Sequence, residues 1–342
     1  EDEGEQANVL FANARDMEEG VELSSALKDR LRLDKGRLLS IARSVREIAA
    51  LTDPVGEIIQ GHRHPSGMEM VQKRVPLGVL FVIFESRPNV TIDIAALALK
   101  SGNAAILRGG KEALHSNVAL YGLIAESLKA ADLHGDSVLL VTDPARELML
   151  ELLKQSETID LVVPRGGEGL IRYVSEHSRI PVVKHDKGVC TLFVDRSARL
   201  KVASEVAINA KLQRPSVCNA IENLVLHRDF PHKKELFQEL LTAGADLAGC
   251  AETRAIDPRV RELAEDEYGL EYLDSRLSLK IVSSVTEAVQ FIRRYGSGHS
   301  EAIIAEDREA IEEFLTACDS AALFVNCSTR FHDGGEMGMG AE

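Results

Sequence analysis

From Lys35 onward, Leu38, Leu39, Ala42, Val45, Ile48 and Ala49 recur at steps of three and four, the apolar stripe of an amphipathic helix. The stretch before it also reads as helical. Between Gly56 and Arg74 that period is lost. Gly61, Pro65 and Gly67 interrupt short extended pieces there, which predicts a hairpin turning at Pro65-Ser66-Gly67. From Leu77 to Phe84 the chain is apolar apart from one glycine, as in a parallel strand covered on both faces. Alternation follows. Helices are predicted over residues 92–100, 117–131 (capped by Ser116), 146–155 and 168–177. Strands are predicted over 104–107, 138–141, 161–163, near Val182 and over 190–194. A second series begins near Arg199. It has a helix to Leu212, further helices over 233–241, 287–294 and 309–317, and strands over 224–226, 279–282, 302–304 and 323–325.

Strand–helix alternation of this kind implies doubly wound α/β sheets. A chain of 342 residues exceeds what one ordinary core holds, so two α/β domains are expected. The reading places the first at residues 1–208, the second at 209–325, and a closing segment at 326–342 that returns toward the first. The hairpin at about 56–74 would project from the first domain as an oligomerisation arm, with a plain surface loop as the alternative.

Charge and cysteine usage restrict the function. A net charge of −14 argues against a nucleic-acid partner, which requires clustered positive charge. No apolar run reaches the roughly 18 residues of a membrane span, and the acidic first residues do not resemble a signal peptide. Cys190, Cys218, Cys250, Cys318 and Cys327 are scattered without a Cys-x-x-Cys pair, so a reducing, cytoplasmic setting is expected rather than a disulfide framework. The histidines show no metal-ligand spacing, and no metal is expected.

Three places carry candidate chemistry. Cys218 follows a helix and a Gln213-Arg-Pro-Ser turn, with Lys211 and Arg214 nearby to stabilise a thiolate that could attack a carbonyl carbon. A small buried hydrophobe is the plainer reading of a single cysteine. The other two places are glycine turns, Arg108-Gly-Gly-Lys111 and Arg165-Gly-Gly-Glu168, at carboxyl ends of predicted strands, where α/β sheets bind ligands. Gly166 and Gly167 open a helix whose free N–H groups suit a pyrophosphate. Neither turn has dinucleotide-fingerprint or Walker spacing. Arg108 and Lys111 suit an adenosine 2′-phosphate, which favours NADP over NAD; a solvated basic turn is the alternative.

Several blocks in order resemble the γ-glutamyl phosphate reductase family, within the aldehyde dehydrogenase superfamily. They are Val75-Pro-Leu-Gly-Val, Glu85-Ser-Arg-Pro-Asn-Val-Thr-Ile-Asp-Ile, Lys100-Ser-Gly-Asn-Ala and Leu107-Arg-Gly-Gly-Lys-Glu-Ala, then Pro164-Arg-Gly-Gly, Asn209-Ala-Lys-Leu-Gln-Arg-Pro-Ser-Val-Cys-Asn, Gly298-His-Ser-Glu-Ala-Ile and Asn326-Cys-Ser-Thr-Arg-Phe. The resemblance implies an aldehyde dehydrogenase-like fold, with a cofactor-binding domain, a catalytic domain and a small oligomerisation hairpin. It implies NADPH-dependent reduction of L-glutamate 5-phosphate to the semialdehyde in proline biosynthesis, with a functional link to glutamate 5-kinase. It puts Cys218 at the nucleophile position and Arg87 or Asn89 at the oxyanion position. Arg108 and Lys111 fall at the adenosine ribose, Gly166 and Gly167 at the pyrophosphate, Glu271 at the nicotinamide ribose, and Thr329 and Arg330 at the substrate.

Hydrolytic relatives carry a general-base glutamate in a Glu-Leu-Gly-Gly motif. The corresponding stretch here, residues 183–188, has none, which fits a thioester kept from water; His185 or Asp186 could substitute. A hydrolytic semialdehyde dehydrogenase and a catalytically lapsed scaffold are the alternatives. Family members also extend beyond both ends of this chain, so a homo-oligomer is expected when the termini are complete.

Overall fold

The computed structural model describes residues 3–183 and 187–338. They form thirteen strands: β1 (Ile58–Arg63), β2 (Glu69–Lys73), β3 (Val79–Phe84), β4 (Ala104–Arg108), β5 (Val138–Leu140), β6 (Leu161–Arg165), β7 (Cys190–Val194), β8 (Ile221–His227), β9 (Asp246–Gly249), β10 (Arg261–Glu262), β11 (Arg276–Val282), β12 (Ser300–Ile304) and β13 (Ala322–Val325). The chain divides into two compact units at residues 185/186.

In the first unit, β3 to β6 make a parallel sheet in the order β5-β4-β3-β6, extended by a parallel bridge from Val162 to Val182. Because side chains alternate along a strand, Val82 and Phe84 enter one core and Phe81 and Ile83 the other. The helices Asn89–Lys100 and Leu114–Ala130 cover the first face; Arg146–Leu152 and Glu168–His177 cover the second. Three N-terminal helices, Glu3–Glu19, Ser25–Leu31 and Lys35–Ala50, add a small cluster in which Val9 and Leu33 meet Leu120. The antiparallel hairpin β1–β2 is exposed along its whole length, and its turn contains Gly67 at φ +89.

The helix expected to be capped by Ser116 begins earlier, at Leu114, and Ser116 is buried inside it. The cap comes from far away. Asp16 of the first helix accepts the N–H groups of His115 and Ser116 at 3.0 and 2.7 Å, so its charge meets the positive end of the helix dipole. Asn13 completes the junction by donating to Ser116 Oγ and Leu31 O and accepting from Leu33 N.

The second unit holds a seven-stranded parallel sheet in the order β10-β9-β11-β8-β7-β12-β13. Helices Leu200–Leu212 and Lys233–Thr242 pack on one face, and Val285–Tyr295 and Arg308–Ala317 on the other. This corrects the expected division at 208/209. Strand β7 pairs with β8 and β12, so it and the following helix belong to the second unit. The described part of the closing segment, residues 326–338, also belongs to this unit: Thr329 and His332 bond to Asn219 and Ser300. The reading missed β9, the helix Ala251–Ile256 and β10, all short; β10 is a charged edge pair that carries no apolar period.

Gly78, immediately before β3, has φ +117, and a Cβ there would lie 2.0 Å from Asp160 Oδ2, which accepts the Val79 N–H. Gly78→Ala is expected to cost about 2–4 kcal/mol from backbone strain and overpacking. Thermal and denaturant unfolding measure this; a midpoint equal to the parent's would contradict it.

Candidate functional site

The candidate residues fall into two groups, one in each unit. In the first unit the two glycine turns leave the carboxyl ends of β4 and β6, the strands on either side of β3, as expected. The Gly166-Gly167 turn opens the helix Glu168–His177, but a carboxylate already sits there: Gly167 N–H donates to Glu85 Oε2 at 2.8 Å. A Cβ on Gly166 would stand 2.5 Å from that oxygen, so the turn requires glycine for the carboxylate to approach. The helix start is thus an anion receptor whose anion is Glu85.

The adjoining Glu85-Ser86-Arg87-Pro88 turn is held from the other glycine loop. Glu112 Oε1 accepts both the N–H and the Oγ–H of Ser86, at 2.8 and 2.6 Å. Ser86 is buried in a left-handed conformation at φ 41. Of the two oxyanion candidates, Asn89 donates its amide to Asp93 at 2.9 Å. Arg87 makes no side-chain hydrogen bond or ion pair among the described residues, and burial beside Arg165 and Arg30 lowers its pKa. Arg108 is buried, its Nη2 donating to Pro144 O at 2.7 Å while its Nε has no partner among the described residues. Burial lowers its pKa against the pull of Asp143. Lys111 is exposed. A groove of about 410 Å³ in this unit is lined by apolar side chains such as Val55, Leu77 and Leu97, and none of the candidate residues borders it.

In the second unit the chemistry gathers at the amino edge of the sheet. Cys218 precedes β8, Gly188 precedes β7 and His299 precedes β12; these strands are parallel neighbours, so the three lie at one end. Cys218 is partly exposed. A Cβ on Gly188 would lie 1.7 Å from Cys218 O, so the backbones pack as only glycine allows. Gly188 N–H donates to Glu271 Oε1 at 3.0 Å, which brings the expected ribose ligand into the same cluster. Cys190 Sγ–H donates to Cys218 O at 3.1 Å; burial and the nearby Glu301 hold this thiol well above its ordinary pKa.

The expected substrate residues hold Asn219, the residue after Cys218. Thr329 Oγ1 donates to Asn219 O at 2.6 Å, and Arg330 donates to Asn219 Oδ1 and Gln213 Oε1. Asn219 Nδ2 in turn donates to His332 O at 3.0 Å. Ser300 Oγ joins the two imidazoles, 2.7 Å from His299 Nδ1 and 2.6 Å from His332 Nδ1. The cation expected beside Cys218 is engaged elsewhere. Lys211 is fully buried, with its Nζ 2.6 Å from Glu222 Oε2. Burial pushes the Glu222 carboxyl up to about 7 against the pull of Lys211. His185 and Asp186, considered as substitute bases, lie outside the described residues.

Sequence reasoning missed Gly188, Lys211–Glu222, the His299–Ser300–His332 chain and both glutamates of the first unit. His299, Glu85 and Glu112 stand in blocks that the resemblance picked out, but strand order alone brings their partners to them.

No family model matches the chain. A γ-glutamyl phosphate reductase from Leptospira interrogans is 52% identical over 342 residues, covering 99% of this chain and 82% of the relative. Another, from Nitratiruptor, is 48% identical over 340 residues, covering 98% and 82%. The crystal structure of γ-glutamyl phosphate reductase from Thermotoga maritima superposes with a TM-score of 0.93 at 42% identity, covering 98% of this chain and 82% of that one. An acetylating aldehyde dehydrogenase from Geobacillus thermoglucosidasius shares the fold, with a TM-score of 0.64 at 20% identity over 100% of this chain and 84% of its own.

The tight Gly188 contact is open to a direct check. Gly188→Ala is expected to destabilise the protein by about 1–3 kcal/mol and to change the alkylation rate of Cys218. Thermal unfolding and mass-spectrometric alkylation kinetics read the two effects; no change in either would remove the contact as a constraint.

Proposed function

Because the chain belongs to the γ-glutamyl phosphate reductase family, we propose that it reduces L-glutamate 5-phosphate to L-glutamate 5-semialdehyde in proline biosynthesis, through a thioester on Cys218. The observation that carries this reading is the site around Cys218. Its loop is braced by Gly188 and Cys190 on the carbonyl side and by Thr329 and Arg330 through Asn219.

The Cys218 thiolate adds to the γ-carbonyl carbon, and the acyl–phosphate C–O bond breaks with its electron pair leaving on phosphate. The result is a thioester on the sulfur. The Cys218 backbone N–H is offered to the oxyanion of the addition step. NADPH, when bound, supplies the hydride that reduces the acyl carbon. The C–S bond then breaks, the aldehyde leaves and the thiolate is restored.

Within the first unit, the residues present suit the phosphates of a dinucleotide. The first helix turn after Gly167 is an anion receptor in working geometry, and a phosphate would take the position of the Glu85 carboxylate. Arg165 and Lys111 are exposed cations beside the two turns. In the second unit Glu271 Oε2 is the oxygen offered to a ribose hydroxyl, Oε1 being held by Gly188. The 183–188 stretch carries no glutamate, which supports a thioester kept from water until hydride is delivered.

Two experiments test this. With glutamate 5-semialdehyde and NADP⁺, the enzyme is expected to produce NADPH only when inorganic phosphate is added, and Cys218→Ala is expected to abolish the signal. NADPH production without phosphate would establish the hydrolytic dehydrogenase instead, and an active Cys218→Ala variant would remove the thioester. Separately, Glu85→Ala is expected to tighten NADPH binding several-fold by freeing the Gly167 amide, at a cost of about 1 kcal/mol in helix capping. Weaker binding in that variant, measured by fluorescence titration, would put the pyrophosphate elsewhere.

A further inference from the structure

The Cys218 loop has little structure of its own. From Arg214 to Ala220, the bond from Ala220 N–H to Val217 O is its one internal backbone hydrogen bond among the described residues. Yet its two ends are fixed. Lys211 lies in the last turn of the helix Leu200–Leu212, and Glu222 is the second residue of β8. Glu222 shares the strand face of Leu224 and Leu226, which that helix covers, and so its carboxylate meets the ammonium of Lys211 at 2.6 Å with both side chains at 0% exposure. The pair closes the base of the loop that carries Cys218.

It also reaches a second segment. The Tyr272 ring stands over the Lys211 ammonium, 5.9 Å from Nζ to the ring centre. Leu273, next in this segment, sits in a left-handed conformation at φ 58. One residue before Tyr272 is Glu271, bonded to the Gly188 N–H that packs on Cys218. The circuit is therefore closed: Lys211 and Glu222 fix the base of the nucleophile loop, Tyr272 packs on Lys211, and the adjoining Glu271, with Gly188, returns to Cys218.

A buried ion pair is a weak source of stability, because apolar replacements of similar volume are often neutral or stabilising. Its distinctive contribution is geometric. We infer that Lys211 and Glu222 are positioning residues for the reaction: they set the Cys218 sulfur against Glu271, and hence against the nicotinamide ribose expected on Glu271. The inference rests on Cys218 being the nucleophile.

The test separates position from stability in the full-length enzyme. In Lys211→Met/Glu222→Leu no charge is stranded, so the thermal midpoint is expected to stay near that of the parent. The phosphate-dependent kcat should nevertheless fall by roughly tenfold or more, since small misplacement of a reacting group is costly in rate, with KM for phosphate little changed. The pH profile of iodoacetamide alkylation at Cys218, located by mass spectrometry, should shift in the same variant. Should the double variant fail to fold, Glu222→Asp keeps both charges and shortens the reach by one methylene. It is expected to lower kcat in a folded enzyme, and Lys211→Arg in the same chain to restore part of the loss. A folded double variant, or a folded Glu222→Asp, with parental kcat and alkylation profile would overturn the inference. Alkylation is read without turnover, so a failure of the thioester reading, seen as an active Cys218→Ala, is distinguishable from a failure of this one.

Discussion

Lys211 and Glu222 lie where no water reaches either side chain, so each charge is tolerated only because the other stands 2.6 Å away. Removing one partner would leave an uncompensated charge in a low-dielectric interior, a far larger penalty than the pair's own net contribution. This makes the helix Leu200–Leu212 and strand β8 inseparable at the point where the Cys218 loop leaves one and enters the other. Everything placed around the thiol, from Gly188 and Glu271 on one side to Asn219 and Arg330 on the other, is measured from that closed base.

The first unit solves its joining problems with carboxylates from afar. Asp16 caps a helix 99 and 100 residues away, Glu85 occupies the helix start at Gly167, Glu112 holds Ser86 in a left-handed turn, and Asp160 takes the N–H that begins β3. Each satisfies backbone donors that a helix or turn would otherwise leave unpaired. Part of the acidic excess that argued against nucleic acid is therefore internal wiring. The two units also differ in which end of the sheet carries the candidate residues. The glycine turns follow the carboxyl ends of β4 and β6, the usual ligand edge of an α/β sheet, while Cys218 and its neighbours precede β7, β8 and β12.

Legibility followed the range of the forces involved. The helix 168–177 and the strand 190–194 were read at their observed bounds, and most other elements within a few residues, because strand–helix alternation is a local pattern. Cys218 and the glycine turns were legible as residue types in loops. The unit boundary was not, because the stretch from β7 to the following helix looks alike whether it closes one sheet or opens the next; only pairing of β7 with β8 and β12 decides. Likewise Lys211 read as a cation free to serve the thiol, and burial against Glu222 reversed that role.

The sequence by itself determined the α/β class, the hairpin, the order of elements and the family, since these depend on periodicity, turn chemistry and contiguous blocks. Tertiary structure decided the partners. Glu85 with Gly167, Glu271 with Gly188 and Arg330 with Asn219 are 82, 83 and 111 residues apart, and no spacing rule joins them. Their encounters follow from which strands lie side by side, a choice made by the packing of whole sheet faces rather than by any local segment.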